Sequence, residues 1–403
     1  MRIGVLTFYN VANFGANLQA LSTYRYLRNA GHTPIFINYN SKKEAELHQK
    51  RMSDVQYRTH IDFVERYIDN QTEECTSIAS VNEAIEKHNI EAVVVGSDAV
   101  LQHHPVMGNI KKARRKLFYI HRFLENRMFP NPFWGVGFSE RVPTALFSVS
   151  SQNSEYMYTM PWTRAKMRKA LSNLKYLSVR DSWTRDMVRY ISGRNVPITP
   201  DPVFAYNYNA ADTVLSKDFL INKFCIPEKY VLVSLKGQSL PVAELNSIKK
   251  MFAAQGVACI AMTMPNGILF KHCFDYEIKP SLLPNEWFSL IKNAYGYIGS
   301  NMHPIIVALH NAVPCVSIDN WGRTNFFGKK INDGSSKVEH IMREFDVVQN
   351  HFMIKSSTCD VSAQKILDCI NAFPIEKVRE HSEEMLKRYK TMMNDVLNAL
   401  VNA

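Results

Sequence analysis

Short apolar runs alternate with helical stretches along the first half of the chain. Five runs are candidate strands: Ile3–Thr7, Thr33–Tyr39, Ala92–Gly96, Thr144–Val149 and Tyr176–Val179. Segments with apolar residues at helical spacing lie between them: Leu18–Asn29, Val81–His88, Thr163–Leu174 and Ser182–Ile191. This alternation predicts a parallel sheet with helices on both faces.

A second series of the same kind begins at Tyr230, beyond a proline-containing segment at Ile198–Tyr208. Its apolar runs are YVLVSLKG, VACIAMTM, YGYIG and PCVSID, and helical patterns occur at Val242–Gln255, Glu286–Asn293 and Ile305–Asn311. The stretch Ile375–Val401 is helical in pattern as well. We therefore expect two α/β lobes facing one cleft, with the C-terminal helix packing back across the first lobe.

The length of 403 residues also favours two domains of ordinary size. The predicted boundaries are 1–205 for the N-terminal lobe, 206–228 for a linker, 229–374 for the second lobe and 375–403 for the C-terminal helix. Because apolar residues make up 46% of the chain, each lobe has enough of them to bury a core of its own.

The first strand ends in a loop rich in asparagine and glycine, FYNVANFGANLQ, which leads into a helix. In α/β sheets such loops lie at the carboxyl end of the strand, where ligands bind, and the helix N-terminus presents free N–H groups to an anion. A similar unit occurs near residue 300, where YGYIG leads into SNMHP and a helical segment. The two units predict a ligand site shared by both lobes.

The formal charge of +11 favours anionic partners, such as phosphorylated substrates, acidic glycans or a membrane surface. The seven cysteines are odd in number and lack CxxC spacing, which argues against a disulfide framework and a zinc site. No signal peptide and no apolar run of the ~18 residues needed to span a membrane is recognisable. These features predict a cytoplasmic location.

The segment at about 110–134 interrupts the alternation with a basic cluster beside aromatic residues, IKKARRKLFYIHRFLENRMFPNPFW. One interpretation is an interfacial segment that contacts the inner leaflet of a membrane. The other is a solvated charged helix followed by an aromatic packing cluster. Nucleic-acid binding is not expected, because no recognised RNA- or DNA-binding module accompanies the patch.

Several ordered motifs resemble those of the polysaccharide pyruvyl transferase family. The opening TFYNVANFGANLQALSTYRYLRNAGH resembles the start of that family, and four further matches follow in the family's order: Val93–Ala99 (VVVGSDA), Leu177–Asp181 (LSVRD), Thr199–Phe204 (TPDPVF) and Gly299–Pro314 (GSNMHPIIVALHNAVP). The resemblance implies two Rossmann-like lobes in a glycosyltransferase-B-like arrangement. It also implies transfer of pyruvate from phosphoenolpyruvate to a sugar of a polysaccharide or a polyprenyl-diphosphate-linked oligosaccharide, usually as a cyclic ketal.

Phosphoenolpyruvate carries about three negative charges, so its site needs arginine, lysine or helix N-termini. Ketal formation also needs one acid and one base, and it does not strictly require a metal or another cofactor. His303, at the start of a predicted helix, and Asp98, after the GSD strand end, are the candidates for proton transfer. The candidates for donor binding are Arg180, Lys236, Ser300, Asn301 and Arg323.

The resemblance places Asn301 where an arginine is common in the family. That arginine would be expected to bind the phosphate or carboxylate of the donor. The candidates to supply the missing charge are Arg180, Lys236 and Arg323.

Amide side chains both donate and accept hydrogen bonds, which suits sugar hydroxyls. The candidates for acceptor binding are Asn10, Asn13, Gly15, Asn17 and Asp201. Two other functions remain open: a nucleotide-sugar-dependent glycosyltransferase of the same architecture, and a catalytically divergent member that binds glycan.

Overall fold

The structure is a computed structural model that describes residues 1–40, 46, 54–112, 117–121, 123–327, 329–331, 333–354 and 359–403. All seven cysteines lie in this part of the chain and carry free thiols.

The first lobe is built on a five-stranded parallel sheet. Its strands are β1 (Arg2–Leu6), β2 (Thr33–Phe36), β3 (Ala92–Val95), β6 (Thr144–Val149) and β7 (Tyr176–Val179), in the order β2-β1-β3-β6-β7. All five strands lie within or next to the predicted runs. Their side chains are almost all buried, as expected of a parallel sheet covered by helices on both faces.

The second lobe contains a six-stranded parallel sheet. Its strands are β8 (Tyr230–Ser234), β9 (Ala258–Met262), β10 (Tyr276–Ile278), β11 (Gly296–Gly299), β12 (Cys315–Asp319) and β13 (His351–Met353), in the order β10-β9-β8-β11-β12-β13. The apolar runs predicted β8, β9, β11 and β12. They did not predict the edge strands β10 and β13, which have only three residues each and are mostly not buried.

Helices connect the strands of both sheets. Those of the first lobe are α1 (Phe14–Asn29), α2 (Asp54–Tyr67), α3 (Ile78–Lys87), α4 (Pro161–Ser172) and α5 (Ser182–Ser192). The segment expected as a linker carries α6 (Tyr206–Asn209) and α7 (Lys217–Phe224). The remaining helices are α8 (Val242–Ala254), α9 (Pro284–Lys292), α10 (Met302–His310), α11 (Lys337–Glu344), α12 (Ala363–Asn371) and α13 (Ile375–Val401). Within the described residues, no helix has both the length and the apolar character needed to cross a membrane.

The C-terminal helix α13 crosses back to the first lobe, as predicted. Its apolar face, including Tyr389, Met393 and Val396, packs into one core with β1 and β3 of the first sheet. At its N-terminal end the same helix contacts α10 of the second lobe. The helix therefore contacts both lobes, and its Tyr389 also accepts a hydrogen bond from Asn209 at the start of the linker.

The segment at 110–134 divides into an exposed part and a buried part. In a short antiparallel hairpin, β4 (Ile110–Lys111) is half-buried and β5 (Tyr119–Ile120) is exposed. Phe133 and Trp134 are fully buried in the core of the first lobe. The predicted basic residues Arg114, Arg115 and Lys116 lie outside the described residues. The described residues at the start of this segment therefore form a hairpin, whereas one interpretation of the sequence was a solvated charged helix.

Candidate functional site

A cavity of about 150 Å³ lies between the lobes, where the strands of both sheets end. Of the predicted site residues it is lined by Asn13, Gly15, Asp98, Ser300, Asn301 and His303. A narrow adjoining pocket contains Arg180 and Asp201 and shares Met302 and Lys337 with the cavity. Residues more than 280 positions apart in sequence therefore meet in one place, as expected for ligand sites at the carboxyl ends of parallel strands.

Two helix N-termini meet at the cavity through Gly15 and His303. Gly15 lies in the first turn of α1, where the Asn13 side chain caps the helix by accepting a hydrogen bond from Gly15 N at 3.0 Å. A Cβ atom on Gly15 would lie only 2.0 Å from Cγ of His303, in the first turn of α10. Only a glycine allows this approach, which places the imidazole between two positive helix ends.

The turn before α10 is held in an unusual conformation. Asn301 has φ 76° and ψ 157°, a region that residues other than glycine rarely adopt. Its N–H donates to Oδ2 of Asp319, at the end of β12, over 2.5 Å, and Ser300 Oγ donates to the Ile318 carbonyl over 2.7 Å. These bonds join the ends of β11 and β12 and fix where α10, and therefore His303, begins.

His303 is neutral at physiological pH. Burial lowers its pKa to about 3, and the positive charges of Arg180 and Lys337 act in the same direction, with Asp98 opposing them. Among the described residues, Nε2 has no hydrogen-bond partner, and Asp201 Oδ2 is 3.8 Å away. A neutral imidazole with an unused ring nitrogen is able to accept a proton from a ligand.

Arg180 and Asp201 form a buried ion pair beside the histidine. Arg180 Nη1 donates to Asp201 Oδ2 at 2.7 Å, and Gln19 Nε2 donates to the same oxygen at 2.5 Å. Within the described part of the chain, Nε and Nη2 of Arg180 lack hydrogen-bond partners although the side chain is buried. Unpaired buried donors are costly, so these two N–H groups are suited to binding an anion.

Lys337 is a further cation at the cavity. It occupies the first turn of α11, behind the N-cap Ser336, and its Nζ lies 4.2 Å from the centre of the Trp321 ring. Burial, followed by the nearby charge of Arg180, lowers its pKa to about 8. The lysine is therefore mostly protonated at neutral pH and loses its charge at mildly alkaline pH.

Asp98 contributes a carboxylate from the first lobe. It follows β3 and is buried at the cavity wall, with Oδ1 accepting a hydrogen bond from Ala99 N at 2.6 Å. The cavity and its adjoining pocket together thus contain the neutral imidazole of His303, the Asp98 carboxylate and cations from both lobes.

The remaining predicted residues lie outside the cavity lining. Asn17 is fully buried and hydrogen-bonds the Tyr9 and Val11 carbonyls, so it holds the loop's own backbone. Asn10 Oδ1 is buried within the same loop. Lys236 is exposed at the rim, with Nζ 5.9 Å from the Trp321 ring.

Arg323 is engaged by acidic groups rather than directed into the cavity. Its Nη1 bonds Asp333 Oδ2 at 2.8 Å, and its Nε lies 3.5 Å from Oε1 of the buried Glu155 in the first lobe. This arginine therefore links the two lobes beside the cleft.

Lys337 is not among the site residues predicted from the sequence. A signal for it exists in the pattern Ser336-Lys-Val-Glu339, because serine three residues before glutamate often begins a helix. That pattern would have placed Lys337 in a first helical turn of the second lobe. The structure also places Trp321 at the cavity wall, with its ring next to Lys337 Nζ.

The model of the polysaccharide pyruvyl transferase family matches residues 13–322 of this chain. The chain belongs to the polysaccharide pyruvyl transferase family. The match begins at the N-cap of α1 and ends beside Trp321, so it spans the cavity-lining residues of both lobes except Lys337. The chain is accordingly a transferase.

Solved structures show the same fold. UDP-GlcNAc 2-epimerase from Neisseria meningitidis, bound to UDP-GlcNAc, superimposes with a TM-score of 0.57 at 10% identity, covering 98% of this chain and 99% of that one. The enzyme of the same name from Methanocaldococcus jannaschii gives a TM-score of 0.53 at 11% identity, covering 97% and 100%. No match was found among curated protein sequences. The chain thus has two Rossmann-like lobes facing a central cleft.

The site between the lobes has the parts that acid–base chemistry on an anionic substrate requires. His303 and Asp98 are able to exchange protons, and Arg180, Lys337 and the start of α10 provide positive potential. Such an arrangement is suited to binding a small anion and to proton transfer next to it.

Proposed function

We propose that this enzyme transfers pyruvate from phosphoenolpyruvate to a pair of hydroxyls on one sugar of a glycan, forming a cyclic ketal. The observation that carries the proposal is the unpaired, buried face of Arg180 beside the neutral His303. Membership of the pyruvyl transferase family supports the same chemistry.

The anion of the donor is bound by cations from both lobes. Arg180 offers Nε and Nη2, which form a planar fork suited to a phosphate or carboxylate. Lys337 faces the same space from the second lobe, and both residues line the pocket that adjoins the cavity. Lys337 thus supplies a positive charge to a site in which Asn301 stands where an arginine is common in the family.

The reaction requires two proton transfers. A proton adds to C3 of the enol while the first sugar hydroxyl bonds to C2 and loses its proton. The second hydroxyl then bonds to C2, the C2–O bond to phosphate breaks, and the released phosphate carries the second hydroxyl proton. His303 is neutral and therefore takes the proton of the first hydroxyl, and because its pKa is low it passes that proton on to C3. Asp98 accepts the proton of the second hydroxyl and passes it to the departing phosphate.

The acceptor lies on the side of the first lobe. Asn13 and Gly15 form the cavity wall there, and Asp98 follows the neighbouring strand β3. The proposed acceptor is a polysaccharide or a lipid-linked oligosaccharide, and the proposed location is the cytoplasm, at the inner face of the membrane. No cofactor is part of the proposal.

The test is incubation of the purified chain with phosphoenolpyruvate and candidate glycans, following phosphate release and the mass of the sugar. The expected result is phosphate release that depends on the acceptor and matches the appearance of a pyruvate ketal. Arg180→Ala and His303→Ala should lose turnover. Absence of both donor binding and turnover with every acceptor would contradict the proposal.

A parallel incubation addresses the nucleotide-sugar alternative. UDP-GlcNAc and GDP sugars replace phosphoenolpyruvate, and thermal shift reports binding of each compound. Stabilisation by phosphoenolpyruvate and not by the nucleotide sugars is the expected result. The reverse pattern would assign the cleft to a glycosyltransferase.

A further inference from the structure

Two loops beside the cleft carry exposed apolar side chains and have a strongly basic composition. Residues 99–124 contain six Lys or Arg and no Asp or Glu, and residues 320–331 contain three and none. The first loop follows β3 and the second follows β12, so the described residues of both begin on the side of the molecule where the cavity opens. Such composition in two loops of different lobes is not explained by the catalytic site.

The exposed apolar residues are large. Leu117 is 88% exposed, Phe118 51%, Phe326 43% and Phe327 64%. Tyr119 and Ile120 of β5 are also exposed. Isolated exposed apolar residues are common, but a group of them bordered by cations marks an interaction surface.

Hydrogen bonds join the two loops into one surface. Lys112 N donates to the Phe326 carbonyl at 2.8 Å, and Lys111 Nζ donates to the Thr324 carbonyl at the same distance. Lys112 Nζ lies 5.4 Å from the centre of the Phe327 ring. We call this surface, formed by Lys112, Leu117–Ile120, Phe326, Phe327 and Lys329, the basic–aromatic platform.

The platform is continuous with the wall of the cavity. Phe326 and Phe327 follow Trp321, which lines the cavity, by only a few residues. Asn153 Nδ2 of the first lobe donates to the Gly322 carbonyl over 3.3 Å, which ties the intervening loop to the cleft. Anything bound to the platform therefore lies next to the entrance of the site.

We propose that the basic–aromatic platform binds the surface of an anionic lipid bilayer and so presents the cleft to acceptors carried by that bilayer. Lysines attract anionic headgroups, and aromatic and aliphatic side chains insert at the level of the headgroups. The platform combines both with no acidic residue in either loop, and it borders the cleft. The link to a lipid-borne acceptor rests on the proposed function, whereas the contact with lipid does not.

The test is sedimentation of the full chain with vesicles, which needs no turnover. One set of vesicles contains phosphatidylcholine alone, and the other contains equal amounts of phosphatidylcholine and phosphatidylglycerol. The wild-type chain should bind the anionic vesicles and should bind the neutral ones at least tenfold more weakly, with binding reduced by salt.

Two double variants examine the two components of the platform. Lys112→Glu with Lys329→Glu reverses two exposed charges, and Phe326→Ser with Phe327→Ser removes two exposed rings. The charge variant should weaken binding to anionic vesicles by about tenfold or more, since each lysine near such a surface contributes substantially. The ring variant should weaken it as well.

Matched controls change the same charge and the same ring type elsewhere. Lys166→Glu with Lys365→Glu alters two exposed lysines on other helices, and Phe219→Ser removes a 47% exposed ring from α7. Both controls should bind like the wild type. Failure of the wild type to bind anionic vesicles, or equal losses in the controls, would overturn the proposal.

A second measurement distinguishes lipid from a second copy of this chain. Sedimentation velocity without vesicles should give the same mass for the wild type and the Phe326→Ser, Phe327→Ser variant. A dimer that this variant abolishes, with no vesicle binding by the wild type, would assign the platform to self-association and overturn the proposal. If the wild-type chain binds anionic vesicles but transfers no pyruvate, the result contradicts the proposed function and leaves the lipid contact supported.

Discussion

The imidazole of His303 lies against Gly15, in the space where any larger residue would place its Cβ atom. This contact brings the first turn of α10, in the second lobe, onto the first turn of α1, in the first lobe. It also sets the depth of the cleft, because both residues line the cavity. The proximity of the lobes at the site thus depends on the absence of one side chain.

Replacing Gly15 with alanine should therefore disturb the site. The new Cβ overlaps the His303 ring, and relieving such overlap in a packed interior typically costs about 1–3 kcal/mol. We expect a lower melting temperature and at least a tenfold loss of kcat/KM.

The double variant Gly15→Ala, His303→Ala provides the control for that prediction. Removing the ring makes room for the methyl group, so the melting temperature should recover while activity stays lost. An equal loss of stability in the single and double variants would show that the overlap is not the cause.

Deprotonation of Lys337 should make kcat/KM fall at alkaline pH. Its pKa is lowered to about 8 by burial and then by Arg180, against the charges of Asp98, Asp319 and Asp181. The cation is present below that pH and is lost as the pH rises through it, so kcat/KM for phosphoenolpyruvate should fall above about pH 8. Because arginine stays protonated, Lys337→Arg should move or remove this limit while Lys337→Ala lowers kcat/KM at all pH values. Identical alkaline limits in wild type and Lys337→Arg would exclude Lys337 as the titrating group.

A positive charge placed at position 301 should partly replace the charge of Lys337. Asn301 lines the same cavity as Lys337 and is the N-cap residue of α10. Lys337→Ala should raise the KM for phosphoenolpyruvate by at least tenfold, and adding Asn301→Arg should recover part of that loss. The matched control, Asn301→Gln, adds length without charge and should recover nothing. Equal recovery by both would show that charge is not what Lys337 provides.

Buried neutral histidines should make the fold sensitive to acid. Burial lowers the pKa of His310 and of His303 to about 3, that of His104 to about 3 and that of His103 to about 4. Below about pH 6.5 the unfolded chain binds protons at these positions and the native state does not. Stability therefore falls as the pH decreases from about 6.5 towards 4, by up to about 1.4 kcal/mol per pH unit for each histidine.

His310 allows a test of that acid sensitivity away from the cavity. Its Nδ1 lies 3.3 Å from Ser382 Oγ at the contact between α10 and α13. His310→Gln should reduce the pH dependence of the free energy of unfolding by about one proton, measured by denaturant titration at several pH values. The exposed His121, changed to glutamine, serves as the control. An unchanged slope for His310→Gln would contradict the assignment.

Hydrophobic periodicity was sufficient to predict most of the architecture, because buried parallel strands need continuous apolar runs. Together with the family resemblance it also selected His303, Asp98 and Arg180, which lie at the cavity and its adjoining pocket because strand ends in such sheets meet at one edge. It failed for Lys337, which follows a long loop rather than a strand. It also could not show that Asn17 bonds its own loop or that Arg323 is held by Asp333 and Glu155, because the direction of a loop side chain depends on tertiary contacts.

The most direct measurement is the position at which phosphoenolpyruvate binds. A crystal of the chain grown with phosphoenolpyruvate, together with one of Arg180→Ala grown in the same way, measures this directly. We predict electron density for the donor within hydrogen-bond distance of Arg180 Nε or Nη2 and near Lys337 Nζ, beside His303, and none in the Arg180→Ala crystal. Donor density elsewhere on the molecule, or an empty cleft at saturating donor, would contradict the central claim.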